Sequence, residues 1–566
     1  MTRRLAVFLA PILLLSSAAG VIAAEPADRL VRPIEDEVIY FVLPDRFANG
    51  DPGNDTGGIA GGRLDHGYDP EDKGFYHGGD FKGLIGKLDY LEGLGVSAIW
   101  LAPIFANKPV QGPPGMESAA YHGYWITDFT RPDPHFGTEE EFRALVEAAH
   151  ARGMRVIMDI VTNHSADVIE YEECRAAGKR WNCPYRPLTE PPYSPVVPAD
   201  EADIKVPAWL NDPRHYHNRG DSTFEGESSL YGDFAGLDDI DTESPEVIAG
   251  MIAIYRDWIS RYHIDGFRID TARHVSDEFW RAFLPAILDH ARSEGIPNFY
   301  IFGEVFDPDV TQLSRYVREA GFPAVLDFAF EDRARAVIAE GAPTRLLADL
   351  YAEDRAYGED GATARRLPVF LGNHDMGRIG HFITRANPWA SDSEKLARSR
   401  LAHALMLFAR GVPVLYYGDE QGFTGDGGDR DAREDMFESR TRVYNDNDLI
   451  GSDATTAEDN FDPDHPLYRE ISAMLAVRRA EPGLRRGRQR VLHAEDEAGL
   501  FLFLREDDAA RYLVAINSAG RERAAEIVLK GDFKRLIGDG ATRITAADGK
   551  LALTLPPFGF AVWRAE

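Results

Sequence analysis

Cysteine is nearly missing from this chain of 566 residues, which carries only Cys174 and Cys183. Two thiols do not make a zinc site. Long apolar runs are missing too: the one run near the start, Leu5 to Leu15, falls short of the roughly 20 residues a bilayer requires, and no later span follows it. Positive charge is in short supply, with 62 Lys and Arg against 93 Asp and Glu, a net charge of −31 and a pI near 4.9. The acids are spread along the chain rather than gathered in a tail, so the surface repels phosphate backbones and nucleic acid is excluded as a partner. There is no internal repeat and no low-complexity tract. A hydrophobic content of 44% and a charged content of 27% are those of an ordinary globular protein, not a disordered one.

The N-terminus reads as an export signal over residues 1–24: Arg3 and Arg4, the apolar run, then small residues through Ala23 and Ala24. No cysteine follows it to take a lipid. The expectation is a secreted protein, periplasmic or extracellular, free of the membrane once the signal is removed, with its acidic surface serving solubility. In an oxidising compartment Cys174 and Cys183 form one bridge, worth roughly 2–3 kcal/mol in the chain-entropy model, or else remain two free thiols.

Eight apolar runs have the length of strands: Val38–Leu43, Ala98–Ala102, Val156–Ile160, Phe267–Asp270, Tyr300–Glu304, Ala324–Phe328, Val369–Leu371 and Val414–Tyr417. They alternate with helical patterns such as Glu139–Arg152, where Phe142, Leu145, Val146 and Ala149 share a face, and Pro245–Tyr262. Continuous apolar strands interleaved with amphipathic helices describe a parallel sheet covered on both sides, and eight repeats predict a closed (β/α)₈ barrel. More than a hundred residues separate the third and fourth strands, where one β/α unit needs about 30. The excess, residues 165–236, holds both cysteines and Trp181, Tyr185, Tyr193, Trp209, Tyr216 and Tyr231, and reads as a subdomain leaning over one end of the barrel. The barrel is thus expected in two parts, 25–164 and 237–465. From residue 466 a helix, Leu467–Arg479, leads through a basic stretch, Arg485–Arg490, into alternating runs Leu500–Leu504, Tyr512–Ile516 and Phe560–Trp563. Alternation with period two and no helices between predicts a C-terminal antiparallel β-sandwich over 466–566. The arginines read as a solvated or interdomain face.

Three of the strands end in acids. Gly266-Phe267-Arg268-Ile269-Asp270, Phe302-Gly303-Glu304-Val305 and Gly372-Asn373-His374-Asp375 each deliver a carboxylate where a barrel carries its catalytic face. Singly, Arg-x-Asp is a structural ion pair, Gly-Glu-Val carries nothing and Asn-His-Asp marks a turn; their order and position at strand ends carry the reading. A glycosidic bond breaks when one carboxylic acid protonates the leaving oxygen while a carboxylate attacks the sugar carbon from the other side. Arg268 shares a strand face with Asp270 and favours its ionised form, which suits a nucleophile. Glu304 has Phe302, Val305 and Phe306 as neighbours, whose desolvation raises its pKa toward that of a general acid.

Asp159-Ile160-Val161-Thr162-Asn163-His164, Gly266 to His274, Gly303-Glu304-Val305 and Asn373-His374-Asp375 together resemble the four ordered signature regions of the α-amylase family, glycoside hydrolase family 13, over residues 36–465. The resemblance implies Asp270 as nucleophile, Glu304 as general acid/base and Asp375 as the carboxylate gripping the distorted sugar. Arg268, His164 and His374 would surround that sugar. Tyr121-His122-Gly123-Tyr124-Trp125 is similar to the segment that sets an aromatic platform, here Tyr124, under the ring, with His122 on a hydroxyl. The insertion corresponds to the family's domain B and the sandwich to its domain C.

The resemblance also implies Ca²⁺. Asn49-Gly50-Asp51-Pro52-Gly53-Asn54-Asp55 is an Asx-rich turn by composition. It is also similar to the N-terminal calcium loop of cyclodextrin glucanotransferases, where Asn49, Asp51, Asn54, Asp55, the carbonyl of Gly78 and Asp80 match ligands. A second site would use Asn163, Asp239 and the carbonyl of His274. There Asp238 stands where the family has a proline or similar residue.

Arg273-His274, on the substrate side of the same motif, departs from the Lys-His pair common in α-amylases and offers a planar fork in place of a point charge. Gly425–Phe437 resembles the loop after the eighth strand in neopullulanase-like and bacterial α-amylase members. The leading expectation is an exported α-amylase-type hydrolase cleaving α-1,4 bonds of starch or maltodextrins with retention. The alternatives are a cyclomaltodextrinase, neopullulanase or cyclodextrin glucanotransferase. A non-catalytic glycan-binding relative would lack one or more of the acids, and all three are present.

Overall fold

The computed structural model describes residues 28–359 and 361–566. The expected export signal lies outside them. Eight parallel strands form one sheet: β1 (Ile39–Val42), β2 (Ala98–Leu101), β3 (Arg155–Ile160), β4 (Gly266–Ile269), β5 (Tyr300–Gly303), β6 (Ala324–Val325), β7 (Pro368–Val369) and β8 (Val412–Tyr416). Their spatial order is β6-β5-β4-β3-β2-β1-β8-β7. The Asp327 backbone N–H donates to the Pro368 carbonyl at 2.9 Å and joins the two outer strands, so the sheet closes into a barrel.

The strands are buried on both faces because helices cover the outside. These include α1 (Leu88–Leu94), α2 (Glu139–Ala151), α3 (Pro245–Tyr262), α4 (Asp277–Ser293), α5 (Val310–Arg315), α6 (Phe328–Ile338) and α7 (Asp392–Phe408). Their starts are written in the sequence. Thr138 and Glu141 form a reciprocal capping box on α2, and Ser276 and Ser391 accept backbone N–H bonds at α4 and α7. In α2, Phe142, Leu145, Val146 and Ala149 are the buried residues, as their spacing predicts. Most strands match the expected runs to within a residue or two at each end, whereas two, β6 and β7, stop two or more residues early. Phe328 opens α6 instead of closing β6, because the Asp327 carboxylate caps that helix by accepting from the Phe330 N–H. Phe370 and Leu371, buried in the loop beyond β7, likewise fall outside the strand.

The long excursion after β3 is clamped at its base by a two-residue antiparallel ladder, Ser165 opposite Asp238 and His164 opposite Asp239. Within it Cys174 and Cys183 are disulfide-bonded, so the bridge and not the free thiols is what forms.

After the barrel, α8 (Pro466–Ala480) leads to β9 (Arg488–His493), β10 (Leu500–Glu506), β11 (Arg511–Asn517), β12 (Arg523–Val528), β13 (Asp532–Gly538), β14 (Arg543–Thr545), β15 (Lys550–Leu555) and β16 (Phe560–Ala565). Six form an antiparallel sheet in the order β9-β10-β11-β16-β13-β14, faced by the β12-β15 pair. Leu502, Leu513, Leu551, Leu555 and Trp563 fill the space between the layers. Arg485 and Arg486, in the basic stretch, reach back to Asp36 at the foot of the barrel, which makes that stretch an interdomain face.

Candidate active site

Strand register brings the first two acids together. Arg268 on β4 lies opposite Asp159 on β3, and Ile269 opposite Gly303 on β5, so Asp270 and Glu304 leave neighbouring strands side by side. Gly303 is required by close packing, since a Cβ there would meet the Phe322 ring at 2.6 Å. The Arg268 guanidinium binds three carboxylates at once: Asp159 Oδ1 at 2.8 Å, Asp270 Oδ1 at 2.7 Å and Glu304 Oε1 at 2.9 Å. The other oxygen of Glu304 accepts the Thr271 N–H at 3.0 Å, and that of Asp159 accepts from the Trp100 indole at 3.1 Å.

One buried cation among three buried carboxylates cannot balance them all, so the cluster retains a proton. Burial pushes Asp270 well up, with Arg268 pulling the other way and Glu304 and Asp159 adding to the rise. This corrects the simpler expectation that Arg268 holds Asp270 in its ionised form, because the guanidinium is shared three ways. A second correction concerns Glu304: Phe302 and Val305 are buried, but Phe306 stands 47% exposed on the cleft wall rather than wrapping the acid.

Burial likewise raises Asp159, to about 7. A carboxyl held there in the fold and near 4 in the unfolded chain gives stability that is complete below about 4 and is lost as pH rises through about 7. The melting temperature is therefore expected to fall between pH 5 and 8, and Asp159→Asn to make that fall shallower. Equal slopes for parent and variant would contradict the assignment.

Asp375 sits in the loop after β7, where Arg433 reaches it at 3.2 Å and also binds the His374 carbonyl. Tyr124 stacks on His374 with ring centroids 5.6 Å apart, and its hydroxyl contacts His374 Nε2 at 2.9 Å and Asp159 at 3.1 Å. His122 accepts the Tyr124 N–H on Nδ1, which leaves Nε2 protonated as a donor. Burial holds His122 and His374 well below the usual histidine range and His164 at about 3, so all three are neutral hydrogen-bonding groups. His274 is anchored through Nδ1 on the Ser229 carbonyl at 2.8 Å, and Arg273 on the Phe306 carbonyl at 2.7 Å. His122, Tyr124, His164, Arg273, His274, His374 and Arg433 line one cleft of about 680 Å³ together with Asp270, Glu304 and Asp375, whereas Arg268, Asp159 and Trp100 are buried outside that lining.

Asp159, Trp100 and Arg433 were missed as site residues. Asp159 opens the motif Asp159 to His164, and its register opposite Arg268 is the signal that marks it; Arg433 stands in the loop after the eighth strand with no partner visible in sequence.

The residues expected to hold calcium divide into those with oxygens to spare and those already engaged. Asn49 Oδ1 and Asn54 Oδ1 are buried without a hydrogen-bond partner, and Asp55 is pushed up by burial. A Cβ on Gly78 would lie 2.6 Å from both Asn49 Nδ2 and Asp55 Oδ1, which shows how closely its backbone approaches them. Asp51 pairs with Lys82 at 2.5 Å, while Asp80 accepts the N–H groups of Gly50, Asp51 and Gly83. Orphaned oxygens beside a raised carboxyl fit a hard cation. At the second position Asn163 Oδ1 is also buried and unpartnered, whereas Asp239 holds His217 at 2.6 Å. Asp238 is explained by its partners: its carboxylate accepts from Val168 and Ile169 and pairs with Lys205 at 2.5 Å.

The model for "Alpha amylase, catalytic domain" matches residues 41–465. The chain belongs to the α-amylase family. It is 47% identical to an α-amylase of Streptomyces lividans over 535 residues, which is 90% of this chain and 58% of that one. It is 30% identical to a β/α-amylase of Paenibacillus polymyxa over 92% of this chain and 37% of that one. The chain thus spans between about a third and three-fifths of the length of these curated relatives. Among solved α-amylases, that of Anoxybacillus superposes with a TM-score of 0.70 at 28% identity, covering 94% of this chain and 98% of its own. That of Geobacillus thermoleovorans, solved with acarbose, superposes at 0.68 and 27% identity, covering 94% and 99%.

Proposed function

We propose that this protein is an α-amylase-type glycoside hydrolase that cleaves α-1,4 bonds of starch or maltodextrins with retention of configuration. The observation that carries the reading is the convergence of Asp270, Glu304 and Asp375 on one cleft, the first two bridged by a single buried guanidinium. Asp270 attacks the anomeric carbon while Glu304 gives its proton to the leaving glycosidic oxygen, so that the C–O bond breaks as the aspartyl ester forms. Glu304, now a carboxylate, takes a proton from water; the water attacks the same carbon and Asp270 leaves. Two inversions restore the original configuration. Asp375, held by Arg433, grips the sugar hydroxyls, Tyr124 supplies the platform, and His122, His164 and His374 donate or accept as neutral groups. Arg273 and His274 flank the leaving side.

In this reading residues 165–236 roof the cleft as domain B and residues 466–566 form domain C. The signal over 1–24 directs export, in keeping with the disulfide. No helix among the described residues is long and apolar enough to cross a membrane. Asn49, Asn54 and Asp55 with the Gly78 carbonyl hold one Ca²⁺, assisted by Asp51 and Asp80; Asn163, Asp239 and the His274 carbonyl hold a second. Bound calcium would tie the loop after β1 and the base of domain B to the barrel.

Starch, pullulan and β-cyclodextrin distinguish the family's reactions. Mixed linear maltooligosaccharides from starch are expected. Panose from pullulan, rapid ring opening or cyclic products would replace this reading with one of the related activities. Calcium is tested separately: EDTA is expected to lower the melting temperature and added calcium to restore it. An unchanged melting curve would remove both cation sites.

A further inference from the structure

Trp181 and Arg180 lie far along the chain from Asp270, Glu304 and Asp375, yet both line the same cleft. They sit in the loop closed by the Cys174–Cys183 disulfide. Both cysteines are buried, and Cys183 itself reaches the cleft wall. Cys174 lies in a short helix, Glu172–Ala176, and from there to Cys183 the chain makes local turns, with the Lys179 N–H on the Cys174 carbonyl and the Asn182 N–H on the Lys179 carbonyl. Residues 175–180 are all exposed and Trp181 is half-buried, so little apolar packing holds the loop. Instead it is pinned by covalent and charged contacts. The Arg180 guanidinium stacks over the Trp181 ring at 4.6 Å from its centroid and pairs with Glu170 at 2.6 Å, where Arg175 also binds. Beyond the disulfide, the Cys183 carbonyl accepts the Asp221 N–H at 2.7 Å and ties the loop to the other side of the subdomain.

A half-exposed indole with an arginine on it, fixed in the wall of a glycan cleft, is a costly arrangement for a surface loop unless something docks there. Pyranose rings present apolar C–H faces ringed by hydroxyls, which an indole and an adjoining fork of N–H donors match. We infer that Trp181 and Arg180 form a binding subsite for a glucosyl unit remote from the bond being cut, and that the Cys174–Cys183 disulfide positions it. This inference rests on the proposed α-glucan hydrolysis. It adds that affinity for long chains depends on a bridge that takes no part in the chemistry.

The test compares maltoheptaose with a short chromogenic maltoside. Trp181→Ala is expected to raise KM for maltoheptaose roughly three- to tenfold, with kcat and the short-substrate kcat/KM within about twofold of the parent. Trp181→Phe, which keeps a flat ring, is expected to recover most of the loss. The Cys174→Ser/Cys183→Ser double variant is expected to reproduce the KM rise, its fold checked by circular dichroism. A parent that neither binds nor cleaves maltoheptaose sinks the functional reading and this inference together. An active parent whose KM for maltoheptaose is unmoved by Trp181→Ala overturns the inference alone. If the double variant keeps the parent's KM, or fails to fold while Trp181→Ala shows the loss, the positioning role of the disulfide is overturned.

Discussion

Asp270→Asn is expected to lower turnover of α-glucans by at least about 10⁴-fold while the protein stays folded, because an amide cannot form the ester intermediate. The structure adds a reason for the stability to survive. Burial penalises the charged form of Asp270 and pushes its pKa well up, so an uncharged group of the same shape removes a desolvation cost as it removes the nucleophile. The amide oxygen can still accept from Arg268, which binds Asp270 Oδ1 at 2.7 Å. Steady-state rates on soluble starch, with circular dichroism and a melting curve on the same preparation, check both halves. Activity within tenfold of the parent would contradict the nucleophile assignment.

Arg268→Met is expected to act in the opposite sense on stability. The side chain is fully buried and is the common partner of Asp159, Asp270 and Glu304. Removing the cation leaves three largely buried carboxylates facing one another with no counter-charge between them. Breaking a buried ion pair from one side costs about 3–5 kcal/mol, and here the acids can recover only by taking up protons, which disarms the nucleophile. The free energy of urea unfolding should therefore fall by about that amount and activity should collapse with it. A loss under about 1 kcal/mol would show that the acids are held by something other than Arg268.

These contacts mark where sequence reasoning worked and where it stopped. The strands that deliver Asp270 and Glu304 were legible because an apolar run leading to an acid is a local signal, although each ends one residue before its acid, and parallel register then places Asp270 beside Glu304. The helix faces were legible for the same reason. The reading failed where a local rule met a distant partner. Period-two alternation would turn Phe306 back toward Glu304, but β5 ends at Gly303 and the backbone leaves the sheet. Asp327 looked like strand and serves as a cap. Arg433 meets Tyr121 across 312 positions, and Lys205 meets Asp238 across 33. Nothing in either neighbourhood names the other residue. Asp238, which looked like a defect in a motif, is satisfied by a lysine from the subdomain it helps to anchor.

On the proposed function, the barrel and the excursion after β3 carry different parts of the work. In the proposed mechanism the barrel fixes Asp270 and Glu304 just beyond the ends of β4 and β5, where the backbone ladder sets their position. The excursion after β3 adds its cleft-lining groups through a disulfide, a short ladder and ion pairs. Chemistry and chain-length preference are therefore expected to respond to different substitutions.

The most direct test of the double-displacement account is the anomeric configuration of the sugar first released, followed by ¹H NMR during the opening minutes of maltooligosaccharide hydrolysis. The account predicts the α-anomer at the new reducing end, relaxing to the equilibrium mixture only afterwards. Initial release of the β-anomer would contradict it.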